Sequence, residues 1–148
     1  MTEDDCHGGM TTSRLALALS APIALAALTI PVAHADNPAD DPTAGVSRTE
    51  LQRLPAPTPG FEIVQTRFEI PVGKESGRHH HPGPEVGYIV QGDVDMVFDD
   101  RPAQHLHSGD PFLIPAGVTH NARNVGSVRT LMLSTYVVPA DQPLVTMP

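Results

Sequence analysis

Cysteine is nearly absent from this 148-residue chain: Cys6 is the only one, and it stands ahead of a long apolar run. The body of the protein therefore has neither a disulfide framework nor a thiol nucleophile. Basic residues are scarce too, with 9 Lys and Arg against 17 Asp and Glu, a formal charge of -8. That balance gives a phosphate backbone no footprint and argues against a nucleic-acid partner. Long helical stripes and internal repeats are missing as well. What remains has the length of one ordinary domain, too short for two, and its stability must come from packing, helped by a metal or a partner subunit.

Leu15 to Val32 is almost wholly apolar; Arg14 precedes it and Ala33-His34-Ala35 follows. A basic approach, an apolar core and an A-x-A exit describe a secretory signal peptide within residues 1–35. Glu3, Asp4 and Asp5 make the entrance acidic, so Met10 is the alternative start. An uncleaved membrane anchor is the competing reading, because the run approaches the ~20 residues that span a bilayer. Pro22, Pro31 and the small-residue exit favour cleavage. No cysteine follows the run for lipid attachment, and no twin-arginine pair precedes it. The expected location is secreted, periplasmic or cell-envelope, with no stable membrane insertion after cleavage.

Residues 36–57 are rich in Asp, Pro, Ala and Thr and read as a flexible or wrapping arm. Ser47 to Gln52 would form one helical turn or an arm laid on the domain. Residues 58–148 are expected to form a single barrel with a C-terminal tail. Runs rich in Val, Ile, Phe, Leu and Tyr recur there at 61–70, 86–91, 93–99, 111–114, 120–125 and 129–138, between Gly and Pro punctuators. Val94, Met96 and Phe98 alternate with Asp93, Asp95 and Asp99, the period of a half-buried strand. Many short strands in a small domain predict an all-β antiparallel sandwich or barrel. Gln91-Gly92-Asp93 suggests a tight hairpin bend. From His120, parity groups His120, Ala122 and Asn124 on one face and turns Asn121 and Arg123 away.

The most informative stretch is GKESGRHHHPGPE, residues 73–85. On an extended segment His79 and His81 point to one side and His80 to the other. Pro82-Gly83-Pro84 turns the chain so that Glu85 returns toward the same centre, and His120 follows the rigid PAG turn. Three neutral imidazoles and a carboxylate would compensate part of a divalent ion's charge and leave room for water or substrate. Taken alone, an HHH triplet can equally be solvated or a weak adventitious metal binder. His105 and His107 share strand parity, but without a carboxylate at comparable spacing they read as surface or hydrogen-bonding residues.

With these residues in view, the chain resembles the cupin superfamily. Gly73, His79, His81, Glu85 and Gly92 fit the spacing G-x5-H-x-H-x3-E-x6-G, and Gly109, Pro115, Gly117, His120 and Asn124 fit G-x5-P-x-G-x2-H-x3-N. The likeness extends over about residues 58–138. It implies a double-stranded β-helix, or jelly-roll barrel, holding one divalent transition metal on His79, His81, Glu85 and His120, the imidazoles through Nε2. Iron, manganese, nickel, zinc and copper all suit such a ligand set. Asn124 would have a supporting, structural role.

In a barrel of this kind Glu85, Gly87 and Ile89 would lean inward, as would Val94, Met96 and Phe98 from the next strand and Phe112 and Ile114 from the opposing sheet. Tyr88 and Leu113 would face out. Met96, Phe98 and Phe112 then line a largely apolar substrate pocket, and Gly87 leaves space near Glu85. Gln65 and Arg67 share a face that would reach the cavity. Arg67 is the candidate for an anionic substrate, a surface ion pair with Glu69 being its alternative. The resemblance implies an oxygenase-like enzyme acting on a small organic molecule, with Glu85 as ligand and as the catalytic group that exchanges a proton or reorients. The alternatives are a noncatalytic extracytoplasmic metal- or ligand-binding module, and a cupin isomerase or decarboxylase. Homodimerisation through an outer sheet face is also implied.

Overall fold

The computed structural model describes residues 41–148; the leader expected within residues 1–35 and the beginning of the arm lie outside the described residues. Eight strands follow in order: β1 (Ser47–Pro55), β2 (Phe61–Ile70), β3 (Glu85–Gln91), β4 (Asp93–Phe98), β5 (Gln104–His107), β6 (Pro111–Ile114), β7 (His120–Asn124) and β8 (Thr130–Pro139). No helix occurs among the described residues. One sheet has the order β1-β2-β8-β3-β6 and the other β5-β4-β7, with every neighbouring pair antiparallel. The fold is an all-β double-stranded β-helix.

Period-two alternation explains most of this. Glu85, Gly87 and Ile89 are buried on β3 while Val86, Tyr88 and Val90 are exposed. Val94, Met96 and Phe98 are the buried half of β4, and Phe112 and Ile114 that of β6. The inward faces meet in one core that includes Phe68, Ile70, Ile89, Met96, Phe98, Phe112, Ile114 and Met132. Burying each such side chain stabilises the fold by about 1.5–3 kcal/mol. A smaller cluster of Val64, Tyr136 and Val138, with Leu144 against it, sits beside the histidines.

Three local expectations change. Ser47 to Pro55 is a strand, not a helical turn: it pairs with β2 along its length, with a register shift between Glu50 and Gln52, so the sheet begins upstream of residue 58. Its side chains are mostly exposed, so it carries no apolar alternation and is held by ladder hydrogen bonds. Gln104 to His107 forms β5 although only Leu106 is buried there. Gln91-Gly92-Asp93 is not a hairpin: β3 and β4 belong to different sheets, and the chain crosses between them at Gly92. Gly92 has φ +91°, and a Cβ there would lie 3.1 Å from Thr130 Cα, so glycine suits the crossing on both counts.

The segment before β3 extends the smaller sheet beyond β7 through isolated bridges, Glu75 to Arg123 and His79 to His120. Asn121, expected to face away, is buried beneath it: Ser76 Oγ lies 3.1 Å from Asn121 Oδ1 and accepts the Ala122 N–H at 2.9 Å. Asn124 Nδ2 donates to the carbonyls of Ile70 and Val128, and its Oδ1 accepts the Gly126 N–H, tying β7 to the end of β2.

Candidate metal centre

His79 and His120 are locked together by a reciprocal backbone pair, His79 N–H to His120 O at 3.0 Å and His120 N–H to His79 O at 2.9 Å. Residues far apart in sequence thus enter the barrel side by side. The Gly117 N–H donates to His81 O at 2.9 Å, clasping the PAG turn to the histidine segment. Glu85 opens β3 between Ile114 of β6 and Tyr136 of β8. The side chains of His79, His81, Glu85 and His120 are all buried. One ring nitrogen from each histidine lies within 4.8 Å of those of the other two. His80 is spent elsewhere: its backbone pairs with Thr146 in both directions at 3.0 Å.

Every one of the three rings is oriented by a backbone carbonyl. His79 Nδ1 donates to Gly77 O at 2.8 Å, His81 Nδ1 to Leu144 O at 2.7 Å and His120 Nδ1 to Val118 O at 3.0 Å. A carbonyl only accepts, so each Nδ1 carries a proton, and Nε2 is the lone-pair position of each ring in its neutral form. His81 Nε2 and Glu85 Oε2 then face each other at 3.1 Å as two acceptors, with His120 Nε2 at 3.6 Å from the same oxygen. Neither His81 Nε2 nor Glu85 Oε2 has a hydrogen-bond partner among the described residues. Converging buried lone pairs beside a carboxylate fit a cation.

The electrostatics agree. Burial, then the neighbouring His120 imidazole, hold the His79 pKa down at about 3, which keeps the ring neutral. For Glu85, burial raises the pKa, and the lowering by His120 and His81 that outweighs it requires a proton, or a cation in its place, between those rings and the carboxylate. Tyr136, not singled out in the sequence, donates its Oη–H to Glu85 Oε1 at 3.1 Å. Burial, followed by the Glu85 charge, pushes its pKa up, so it stays a protonated donor. Its parity with buried Met132 and Ser134 on β8 was the signal available.

Met96, Phe98 and Phe112 lie in the core on the inward faces, as parity requires. The space expected over Gly87 is filled: Phe112 pairs with Gly87 across strands, and a Cβ there would come within 2.0 Å of Phe112 Cζ. Gln65 and Arg67 do not reach the cavity. On β2 the inward positions are Val64, Thr66, Phe68 and Ile70, which turns Gln65 and Arg67 outward. Arg67 pairs with Glu69 at 3.0 Å, and Gln65 hydrogen-bonds Gln52 and Thr135. The arginine that does face inward is Arg48, on β1. A cavity of about 290 Å³ beside His79 is lined by Arg48, Phe68, Ser76 and Val46, with Val145 and Met147 of the C-terminal tail.

Outside the barrel, His105 and His107 do have carboxylates beside them, supplied across the β4–β5 ladder. His105 Nδ1 meets Asp95 Oδ1 at 2.5 Å and His107 Nδ1 meets Asp93 Oδ1 at 2.7 Å. Both histidines are exposed.

Residues 66–136 match the family model described as a cupin domain. No curated protein matches the chain. Among solved structures the chain is similar to the DMSP lyase DddQ from Ruegeria pomeroyi DSS-3, at 18% identity and TM-score 0.59 over 71% of this chain and 52% of the lyase. It is similar to an oxalate oxidase in complex with glycolate, at 22% identity and TM-score 0.56 over 70% of this chain and 55% of the oxidase. A cupin-like protein from Thermotoga maritima MSB8 aligns at 17% identity and TM-score 0.58 over 70% of this chain and 75% of that one. At these identities the likeness is one of fold.

Proposed function

The barrel of this chain is a small domain of the cupin superfamily, and from that premise we propose that it is a metal-dependent, oxygenase-like enzyme acting on a small organic molecule outside the cytoplasm. The observation that carries the reading is the opposition of His81 Nε2 and Glu85 Oε2, two buried acceptors at 3.1 Å that only a cation or a proton reconciles. His79, His81, Glu85 and His120 would hold the ion. Iron, manganese, nickel or copper would supply Lewis acidity and electron transfer there, whereas zinc would supply only the first.

The chain's own residues do the rest. The carbonyls of Gly77, Leu144 and Val118 fix the three rings in one tautomer. Tyr136 steadies Glu85 through one oxygen and leaves the other free to ligate or to accept a proton. Phe68, Met96, Phe98 and Phe112 keep water from the inner side. The fold relatives include a lyase and an oxidase by name, so the reaction class rests on the site alone. Elemental analysis of protein purified without an affinity metal, followed by oxygen uptake after reconstitution with each ion, tests the reading. Metal uptake without turnover or oxygen consumption would instead support the noncatalytic binding module.

We extend the proposal to assembly and location. Val86, Tyr88, Val90 and Leu113 form an exposed apolar patch on adjacent strands, suited to homodimerisation. A monomer independent of concentration in sedimentation would reject that. Cleavage after Ala35 is checked by N-terminal sequencing of secreted protein.

A further inference from the structure

Arg48 is set apart from the other described arginines. Each of those has a carboxylate partner; Arg48 has none among the described residues. Its Nε is buried with no hydrogen-bond partner among the described residues. The register of β1 on β2 places it directly opposite Phe68, so both side chains project to the inner face, and its guanidinium carbon stands 4.8 Å above the Phe68 ring. The same cavity wall includes His79.

A desolvated, unpaired guanidinium nitrogen is costly, and an anionic oxygen pair is the group whose geometry matches its fork. The remaining cavity wall includes the apolar side chains of Val46, Phe68, Val145 and Met147, together with Thr43 and Ser76. We propose that Arg48 is the substrate-anchoring residue of the site and that the substrate is a small organic acid, its carboxylate on Arg48 and its apolar body toward the histidines. This rests on the reading of the histidine cluster as the reactive centre and adds to it the substrate class.

The test compares isobutyrate with its neutral isostere isobutyramide by calorimetric titration of the full chain, in metal-free and zinc-loaded forms. Isobutyrate should bind roughly tenfold or more tighter than the amide, the scale of a charge-assisted hydrogen bond. Arg48→Gln should abolish that preference while taking up as much zinc as the wild type, and Arg67→Gln should keep it. Arg48→Lys, which retains charge without the fork, should lose affinity severalfold and carries the test if the glutamine variant does not fold. Inorganic phosphate should bind more weakly than isobutyrate. Equal binding of acid and amide, a preference retained in Arg48→Gln, unchanged affinity in Arg48→Lys, or tighter phosphate would overturn the proposal. Zinc uptake without acid preference defeats this inference alone; acid preference without zinc uptake defeats the metal reading and leaves Arg48 standing.

Discussion

Glu85 and Tyr136 face each other across the β3–β8 ladder, and the phenol donates to Glu85 Oε1 at 3.1 Å. Tyr136→Phe would leave that oxygen a buried acceptor without its donor. The expected cost is roughly 1–3 kcal/mol of stability. Metal affinity should fall by roughly 10–100-fold, as for other outer-shell supports of a ligand. Urea unfolding and competition with a metal chelator measure the two effects, and a variant unchanged in both would remove Tyr136 from the site.

The three inward histidines and His80 make a sharp contrast. His120→Ala removes a side chain whose ring nitrogen converges with those of His79 and His81. It should weaken metal binding by more than the roughly 10–100-fold scale of an outer-shell loss. His80→Ala should change it little, because the converging histidines are His79, His81 and His120. Glu85→Gln should weaken binding too, since it exchanges a charged oxygen donor for an amide. Equal loss in the His80 and His120 variants, once both are known to be folded, would defeat the ligand set.

The inner strands and the four converging side chains could be read in the sequence because both obey short-range rules: period-two alternation and fixed spacing around turns. β1 could not, since its side chains are mostly exposed and its place comes from hydrogen bonds to β2. Placing Gln65 and Arg67 in the cavity failed on parity. The pair does share a face, but Val64, Phe68 and Ile70 claim the inner one. Arg48 then became visible only through its register with Phe68. The carbonyl of Leu144 that orients His81 is a backbone group brought in from the C-terminal tail, and no side-chain pattern announces it.

Gly87 lies under the ring of Phe112. Gly87→Ala would drive a methyl into that ring at the centre of β3, next to Glu85 on the inner face. Overpacking of a filled core costs about 1–3 kcal/mol, so the thermal midpoint should fall. The double variant Gly87→Ala with Phe112→Leu should recover part of the loss by vacating the contact. No destabilisation in the single variant would mean that the ring does not occupy this position.

The metal-free protein should lose stability as pH falls, and His79 sets the window. Its pKa is 6.5 in an unfolded chain and about 3 in the fold, lowered first by burial and then by His120. Between those values the unfolded state binds the extra proton, so stability is full above about pH 6.5 and declines toward acid. Well inside the window the slope approaches about 1.4 kcal/mol per pH unit. Glu85 has a depressed pKa as well, but its contribution is lost only as pH falls below its unfolded value of 4.5. His107 works in the opposite sense: its pKa is raised by the hydrogen bond to Asp93, so its contribution is present in acid and lost as pH rises, and solvent screens it at the surface. Urea midpoints between about pH 7.5 and pH 5 therefore leave Glu85 out, and the His79→Gln variant separates the His79 contribution from that of His107. They should fall steadily in the metal-free wild type and flatten in His79→Gln. A midpoint constant or rising toward acid in the wild type would contradict a neutral, buried His79.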